Sequence, residues 1–379
     1  MLNKSVLEEI ALAIGGGVSP LRVLVWGAHK KNDDIVHYLR DKGIEVCGYI
    51  DRLYKEIKEL NHLPVYEKDI LNDVKYSVFV ALEDTYPEVI EFLDKIGYRE
   101  FSDYWYPTRK IMLDGSKNYR DLYGNEYNGG NYKLSIELFS GGKVTVGEGC
   151  EVSKLKIKAC QDSNLYIGDH VIFRYDAEID LRDHSDLYIG NDCTFNSRTF
   201  VKSWLCSKIK IENNFVMTNG KQEFDKGIIS ASLDSNIVIK DHVSIGRRIF
   251  IRAVQRSLIE IEEDCMLSGE ITIMSGNGHN LFSLDESKNL NSEGKKVKIG
   301  EHVWVGRGAV LLHGCRVGAG SVIGMNSFVN NSFPQNCCIA GNPSKIVRKR
   351  IAWHRESERY LESYYDFEKY NYLCTEDCL

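Results

Sequence analysis

A parallel β-solenoid, preceded by a small α/β unit and followed by a helical tail, is the fold class that this sequence predicts. Three observations predict it. An aliphatic residue returns at every sixth position between Lys298 and Phe333, as Ile299, Val305, Leu311, Val317, Ile323 and Val329. A heptapeptide recurs upstream at nearly constant spacing, and before residue 105 the pattern changes to apolar runs alternating with amphipathic ones.

The hexads read aliphatic, then mostly Gly, with a small residue fourth after the aliphatic: Val303, Ala309, Cys315, Ser321 and Ser327. A period of six fits neither an amphipathic helix nor an isolated strand. It fits a coil of three short flat strands joined by tight corners. The pattern runs more loosely back to about residue 134, through VTVGEGC at Val144, LYIGDHV at Leu165, LYIGNDC at Leu187, IKIENNF at Ile209, IVIKDHV at Ile237, IEIEEDC at Ile259 and VKIGEHV at Val297. Ser163, Ser185, Ser207, Ser235 and Ser257 each stand two residues before a copy, 22, 22, 28 and 22 residues apart. From Ile259 to Val297 the gap is 38, so about 16 residues must leave the solenoid there as a loop. Such loops often carry function.

The N-terminal unit reads differently. RVLVWG (Arg22 to Gly27) is a buried strand, Asn32 to Asp41 a helix with apolar Ile35, Val36 and Leu39, and Val46 to Ile50 a second strand. Tyr76 to Leu82 adds a strand and Pro87 to Ile96 a helix. This alternation implies a small Rossmann-like parallel sheet. The turn after the first strand is GAHKKN, not GxGxxG, which argues against a dinucleotide pyrophosphate lying on the backbone. The expected organisation is residues 1–104 as the α/β domain, 105–133 as a connector rich in Tyr, Asn and Gly, 134–350 as the solenoid, and 351–379 as a helical tail.

With 379 residues and 43% apolar content the chain can bury a large core. Its net charge of −6 argues against nucleic acid as partner. MLNKSVLEEIALAIGGG carries Glu8 and Glu9 where a signal peptide would be apolar, so it reads as a short helix. No run is long and apolar enough for membrane insertion. Of eleven cysteines, Cys150, Cys193 and Cys265 share one corner of the heptapeptide and read as small buried residues. No CxxC pair or regular Cys/His spacing suggests a metal site, and a reducing cytoplasmic location is the simpler expectation.

The hexads, followed by CIAGNPSKIVRKR at Cys338 to Arg350, resemble the hexapeptide-repeat, left-handed parallel β-helix acyltransferases over roughly residues 134–350. GNGHNLFSLDESKNLN followed by KIGEHVWVG narrows the resemblance to sugar O-acetyltransferases of surface-polysaccharide pathways. The resemblance implies a homotrimer, acetyl-CoA as co-substrate in a groove between neighbouring β-helices, and a sugar or polysaccharide acceptor. The N-terminal unit is similar to the domain that contacts the sugar nucleotide in some nucleotide-sugar N-acetyltransferases, which makes Gly27, His29 and Asp51, at strand ends, candidate substrate contacts.

Acetyl transfer to a hydroxyl needs a base that is largely neutral near pH 7, and histidine fits. His170, His242 and His302 occupy the same heptapeptide slot, which marks a structural corner. His279, in SGNGH ahead of the looped-out segment, breaks that pattern and matches the histidine that the resemblance makes the general base; His313 is a weaker rival. The family often has Asp two residues earlier, whereas Asn277 stands here, so the group orienting His279 is open among Asn277, Asp285, Glu270 and Asp264. Trp304 should point outward and, by the resemblance, borders the acceptor or acetyl-CoA channel. Gly306 and Gly324 would let the pantetheine arm lie against backbone amides, or serve the corners. Lys345 and Arg348 fall where the family places basic groups near the CoA phosphates. Alternative readings are a nucleotide-sugar N-acetyltransferase and a non-catalytic scaffold.

Overall fold

The computed structural model describes residues 22–29, 32–41, 43–81, 86–99, 103–105, 109–113, 115, 117–120, 125–138, 142–159, 162–218, 225–291, 294–355 and 368–372. The short helix expected over the first seventeen residues lies outside these. Two compact units make up the chain: Met1–Ile111 with Glu137–Ser140, and Met112–Ile136 with Gly141–Leu379.

In the first unit the elements run β1 (Arg22–Trp26), α1 (Asp33–Asp41), β2 (Glu45–Ile50), β3 (Glu59–Leu60), β4 (Leu63–Tyr66), α2 (Ile70–Asp73), β5 (Ser77–Val80), α3 (Tyr86–Lys95) and β6 (Tyr104–Trp105). The sheet order is β3-β4-β2-β1-β5-β6, parallel throughout except for the β3–β4 hairpin. β1 is central and lacks exposure on both faces, which is why it reads as an unbroken apolar run rather than an alternating one. Val23, Val25 and Phe79 pack with Ile35 and Leu39 of α1. All parallel strands end on the same edge, where Gly27, His29 and Asp51 lie.

The second unit is a parallel solenoid with three faces. The heptapeptides form the first face, with Val144, Leu165, Leu187, Ile209, Ile237, Ile259 and Val297 stacked in register. Thr194–Phe195, Val216–Met217, Ser244–Ile245, Met266–Leu267 and Trp304–Val305 lie on the second face; Ala177–Leu181, Arg198–Ser203, Lys226–Ser232 and Phe250–Val254 lie on the third. Every hexad aliphatic and every small residue at the fourth position is buried. Repetition of one register stacks like on like, so interior columns such as Phe173 on Phe195, 4.5 Å apart, run up the axis.

Corner chemistry explains the heptapeptide letter by letter. Its sixth residue has positive φ in every copy resolved as such: Gly149, His170, Asp192, Asn214, His242, Asp264 and His302. Gly, Asn, Asp and His are the residues that tolerate this region best. In four of the seven copies the fifth residue is Asp or Asn, and its side chain accepts a hydrogen bond from the backbone one coil earlier: Asp169 from Glu148, Asn191 from Asp169, Asn213 from Asn191 and Asp241 from Asn213, at 2.7–2.9 Å; the other three copies have Glu there (Glu148, Glu263 and Glu301). The recurring serines are buried and brace the opposite corner, with the Ser185 amide donating to Ser163 Oγ and the Ser235 amide to Ser207 Oγ.

Coil length changes along the stack. Lys298 and Arg316 pair across an 18-residue coil, whereas Leu165, Leu187 and Ile209 pair across 22. The additional residues lengthen the third face, whose strands hold five to seven residues below the loop and two at Val310–Leu311 and Phe328–Val329. They also build a corner of two consecutive left-handed residues, such as Asp183–His184, Leu205–Cys206 and Gln255–Arg256.

The described parts of the tail, residues 351–355 and 368–372, contain no α-helix. They instead lay aromatic side chains on the corner around His302; the rest of the tail lies outside the described residues. Among the described residues no helix is long and apolar enough to cross a membrane, and no group of three or more His, Cys, Asp or Glu could hold a metal.

Candidate functional site

The expected loop leaves the solenoid at the corner following the third face, after Thr272–Met274, and returns at Val297–Ile299. Its base is closed by Asn291, whose Nδ2 donates to the His279 carbonyl at 2.8 Å and whose Oδ1 accepts from the Leu281 amide at 2.6 Å. Further out, Phe282 bridges Asn289 and the Ser283 amide reaches the Lys288 carbonyl. Gly278, with φ +76°, makes the sharp turn that presents His279, whose side chain is exposed. A Cβ at Gly278 would stand 3.2 Å from Arg252 Nη2, so that guanidinium packs directly beside the residue before His279.

Asn277 and Asp285 lie on the same loop and both are exposed. Among the described residues the His279 ring has no hydrogen bond or ion pair. Two of the proposed orienting groups are engaged elsewhere: Asp264 binds His302 and Arg355, and Glu270 sits 3.7 Å from Arg248 at the second-to-third-face corner. Asn291 was not singled out by sequence reasoning; its only signal is that it closes the GNGHNLFSLDESKNLN motif.

The five candidate cofactor contacts fall on two adjacent rows of one face. Trp304, 38% exposed, pairs with Val322, Val322 with Cys338, and Cys338 with Arg348 of the terminal hairpin. In the neighbouring row the Gly306 amide donates to Ile323 O, the Gly324 amide to Ile339 O, and Ala340 pairs with Lys345. Lys345 and Arg348 are exposed. Coil stacking by itself requires glycine at 306, where a Cβ would meet Met325 N at 2.6 Å; Gly324 has more room, its nearest neighbour being Ala340 Cβ at 3.1 Å. All five lie beyond the loop along the stack.

In the first unit Gly27, His29 and Asp51 line one cavity of about 630 Å³ together with Trp26, Asn32 and Lys68. Asp51 accepts from the Ala28 amide at 2.8 Å and the Leu53 amide at 2.9 Å, which fixes its carboxylate at the mouth.

A family model described as "Bacterial transferase hexapeptide (six repeats)" matches residues 296–331. The polysialic acid O-acetyltransferase of Escherichia coli O1:K1 is 32% identical over 138 residues, 36% of this chain and 44% of that protein. The polysialic acid O-acetyltransferase of Neisseria meningitidis is 31% identical over 186 residues, 48% of this chain and 80% of that protein. The chain belongs to the hexapeptide-repeat O-acetyltransferase family. A crystal structure of the polysialic acid-specific acetyltransferase NeuO aligns with 60% of this chain and 92% of its own, at 26% identity and a TM-score of 0.45. The match to the Escherichia coli relative spans less than half of that protein's length.

Three buried corner thiols are poor nucleophiles. Burial pushes Cys193, Cys265 and Cys315 up to about 12. His302, by contrast with His279, is buried: its Nδ1 lies 2.7 Å from Asp264 Oδ2, its Nε2 2.9 Å from the Trp353 carbonyl, and its ring is stacked between Trp353 and Tyr370. The Trp304 ring is 6.0 Å from that of Trp353, so the tail reaches the face that bears the candidate cofactor rows.

Proposed function

We propose that this chain transfers the acetyl group of acetyl-CoA to a hydroxyl of a surface polysaccharide or its precursor, with His279 as general base, in a left-handed β-helix homotrimer. The observation that carries the reading is the loop: a histidine free of the corner ladder, turned out by Gly278 and held at its backbone by Asn291. Family membership supplies the reaction class. His279 takes the hydroxyl proton as the oxygen attacks the acetyl carbonyl. The C–S bond then breaks, and the imidazolium returns the proton to the sulfur, so CoA leaves as thiol. The rows from Trp304 to Arg348 and from Gly306 to Lys345 would take the pantetheine arm and CoA phosphates. The first unit would serve as a Rossmann-like accessory domain.

Trimer formation is supported by how apolar residues are shared among the outer faces. From Phe200 onward the outward third-face column is Phe200, Ile228, Phe250, Thr272, Val310 and Phe328, and the second-face column has Val216, Met266, Trp304 and Val322 with Thr194 and Ser244 among them, whereas the first face shows Tyr, Lys, Glu and Arg with Val238 as its aliphatic member. Two apolar faces and one polar face suit subunits packed around an axis.

His279→Ala should keep the wild-type melting temperature and acetyl-CoA binding while lowering acetyl transfer at least ~100-fold. Retained turnover would exclude His279 as base. The cavity at Gly27, His29 and Asp51 favours a second reading, N-acetylation of a nucleotide-linked amino sugar. Comparing hydroxyl and amine acceptors separates the two, and failure to bind acetyl-CoA at all would leave a scaffold.

A further inference from the structure

The hairpin of Cys337–Gly341 and Ser344–Lys349 closes the last coil, and the tail then turns back along the side of the stack. The Ile351 carbonyl accepts from Asn336 Nδ2 at 3.0 Å, and the Trp353 indole donates to the His302 carbonyl at 2.8 Å. Arg355 reaches further down, to Ser244 Oγ at 2.7 Å, Asp264 Oδ1 at 2.9 Å and the Asp264 and Cys265 carbonyls at 2.8 and 2.9 Å. A tail that only capped the open end would cover the last coil; this one runs past it. Its second described piece returns to the same corner. Tyr370 and Trp353 each stack on the His302 ring at 4.1 Å, and Asn336 joins the two pieces by also donating to the Tyr370 carbonyl at 2.9 Å. Beyond Trp353 comes Trp304, the two rings 6.0 Å apart and inclined by 45°. Tyr370, His302, Trp353 and Trp304 thus form one row of rings that ends on the second face.

We propose that Trp353 is a positioning residue for the donor site: clamped on His302, it fixes the orientation of Trp304, and the tail thereby forms the lateral wall of the acetyl-CoA rows. The proposal rests on the reading that Trp304 borders those rows. An indole that stands out of a flat parallel face, 38% exposed, has few contacts to hold its side-chain torsions. A second ring at its flank restricts them before the donor arrives, so that less ordering is left to be done on binding. Burial assigns the division of labour: Trp353 is 7% exposed and so acts through Trp304. The clamp is also well anchored, since both His302 ring nitrogens, the indole N–H and both Asp264 oxygens have partners. Position separates this role from the chemistry. The tail occupies the first-to-second-face corner, whereas the loop bearing His279 leaves from the corner after the third face. The repeat itself does not call for such a tail, because the hexapeptide match ends at residue 331.

The test uses the full chain with its tryptophans replaced by 5-fluorotryptophan, the Trp304 fluorine resonance being assigned from Trp304→Ala. Acetyl-CoA should shift that resonance in the wild type. In Trp353→Ala the resonance should move and broaden before any donor is added. Acetyl-CoA and CoA should then bind about tenfold more weakly, and KM for acetyl-CoA should rise by the same factor with kcat at saturating donor within about twofold of wild type. Trp353→Phe keeps a ring on His302 and should return donor binding to within about threefold of wild type. Tyr370→Ala loosens the clamp from the other face of His302 and serves where Trp353→Ala does not fold; it should weaken donor binding about threefold. A tail with a purely structural role would lower the melting temperatures of these variants and leave both the Trp304 resonance and the donor affinity, measured well below melting, unchanged. That result overturns the proposal, as does a fall in kcat with KM unaltered. Where wild type binds acetyl-CoA and Trp304→Ala weakens it but Trp353→Ala does not, the positioning role alone fails. Where wild type takes up no acetyl-CoA, or Trp304→Ala binds it as tightly, the donor-site reading fails and the positioning role with it.

Discussion

His279 and His302 stand 23 residues apart in the chain and show what a histidine's surroundings decide. One is exposed on a loop; the other fills a corner, clamps the tail and faces acceptors with both ring nitrogens. The sequence made that separation legible, because His302 repeats the slot of His170 and His242 and all three adopt positive φ. It did not reveal the clamp, which depends on Trp353 and Arg355, some 50 residues further on and outside any repeat. Burial would push the Asp264 carboxyl up, but the hydrogen bond from His302 and the charge of Arg355 outweigh it and hold the carboxyl below its ordinary value. A carboxyl with a depressed value stabilises the fold fully above its ordinary titration range and loses that contribution as pH falls through the folded value. Asp264→Asn should therefore melt several degrees below wild type near pH 7, with the gap closing in acid, below about pH 4. A gap that stays constant down to acid unfolding would mean that the charge of Asp264 does not matter.

At the level of elements, the hexads and heptapeptides disclosed which residues point inward, because stacking in register forces one column to repeat. They also located the loop, from the 38-residue gap alone. The destination of the four additional residues per coil was not legible: periodicity counts residues in a turn and does not say which face widens. The staple by Asn291 was hidden for a related reason, since a loop's closing bonds follow from its three-dimensional path. Asn291→Ala removes both bonds at the loop base. It should lower kcat about tenfold with little change in KM for acetyl-CoA, because both bonds are made within the loop, at His279 and Leu281, and none to the rows expected to bind the donor. An unchanged kcat would show that the loop holds His279 without the staple. Gly306→Ala tests the coil itself. Its Cβ would collide with the next coil's backbone, so a loss of roughly 1–3 kcal/mol in unfolding free energy is expected from denaturant melts. A stability close to wild type would mean the coils can separate locally.

For the molecule as a whole, one solenoid carries a wide-coil segment and a narrow-coil segment that meet at the loop. A single copy leaves His279 beside the third-face corner and Trp304 on the second face of the following coil. If the reaction needs both, the simplest arrangement is a neighbour that presents its second face to this copy's third-face corner, and repeating that contact three times closes a ring. Both columns that would meet are the apolar ones, while the first face, with Tyr166, Tyr188, Lys210 and Arg316 exposed, stays outside. Sedimentation equilibrium should then report about 130 kDa, three times the 43.2 kDa chain. Phe250→Glu places a charge in the middle of the apolar third-face column and should shift the species to the monomer with its coil intact, since residue 250 points outward while Ile249 and Ile251 fill the interior. If the site is shared between copies, the monomeric variant loses transfer together with assembly. A wild-type monomer that transfers acetyl groups at full rate would refute the shared site and require His279 and the donor rows to meet within a single chain.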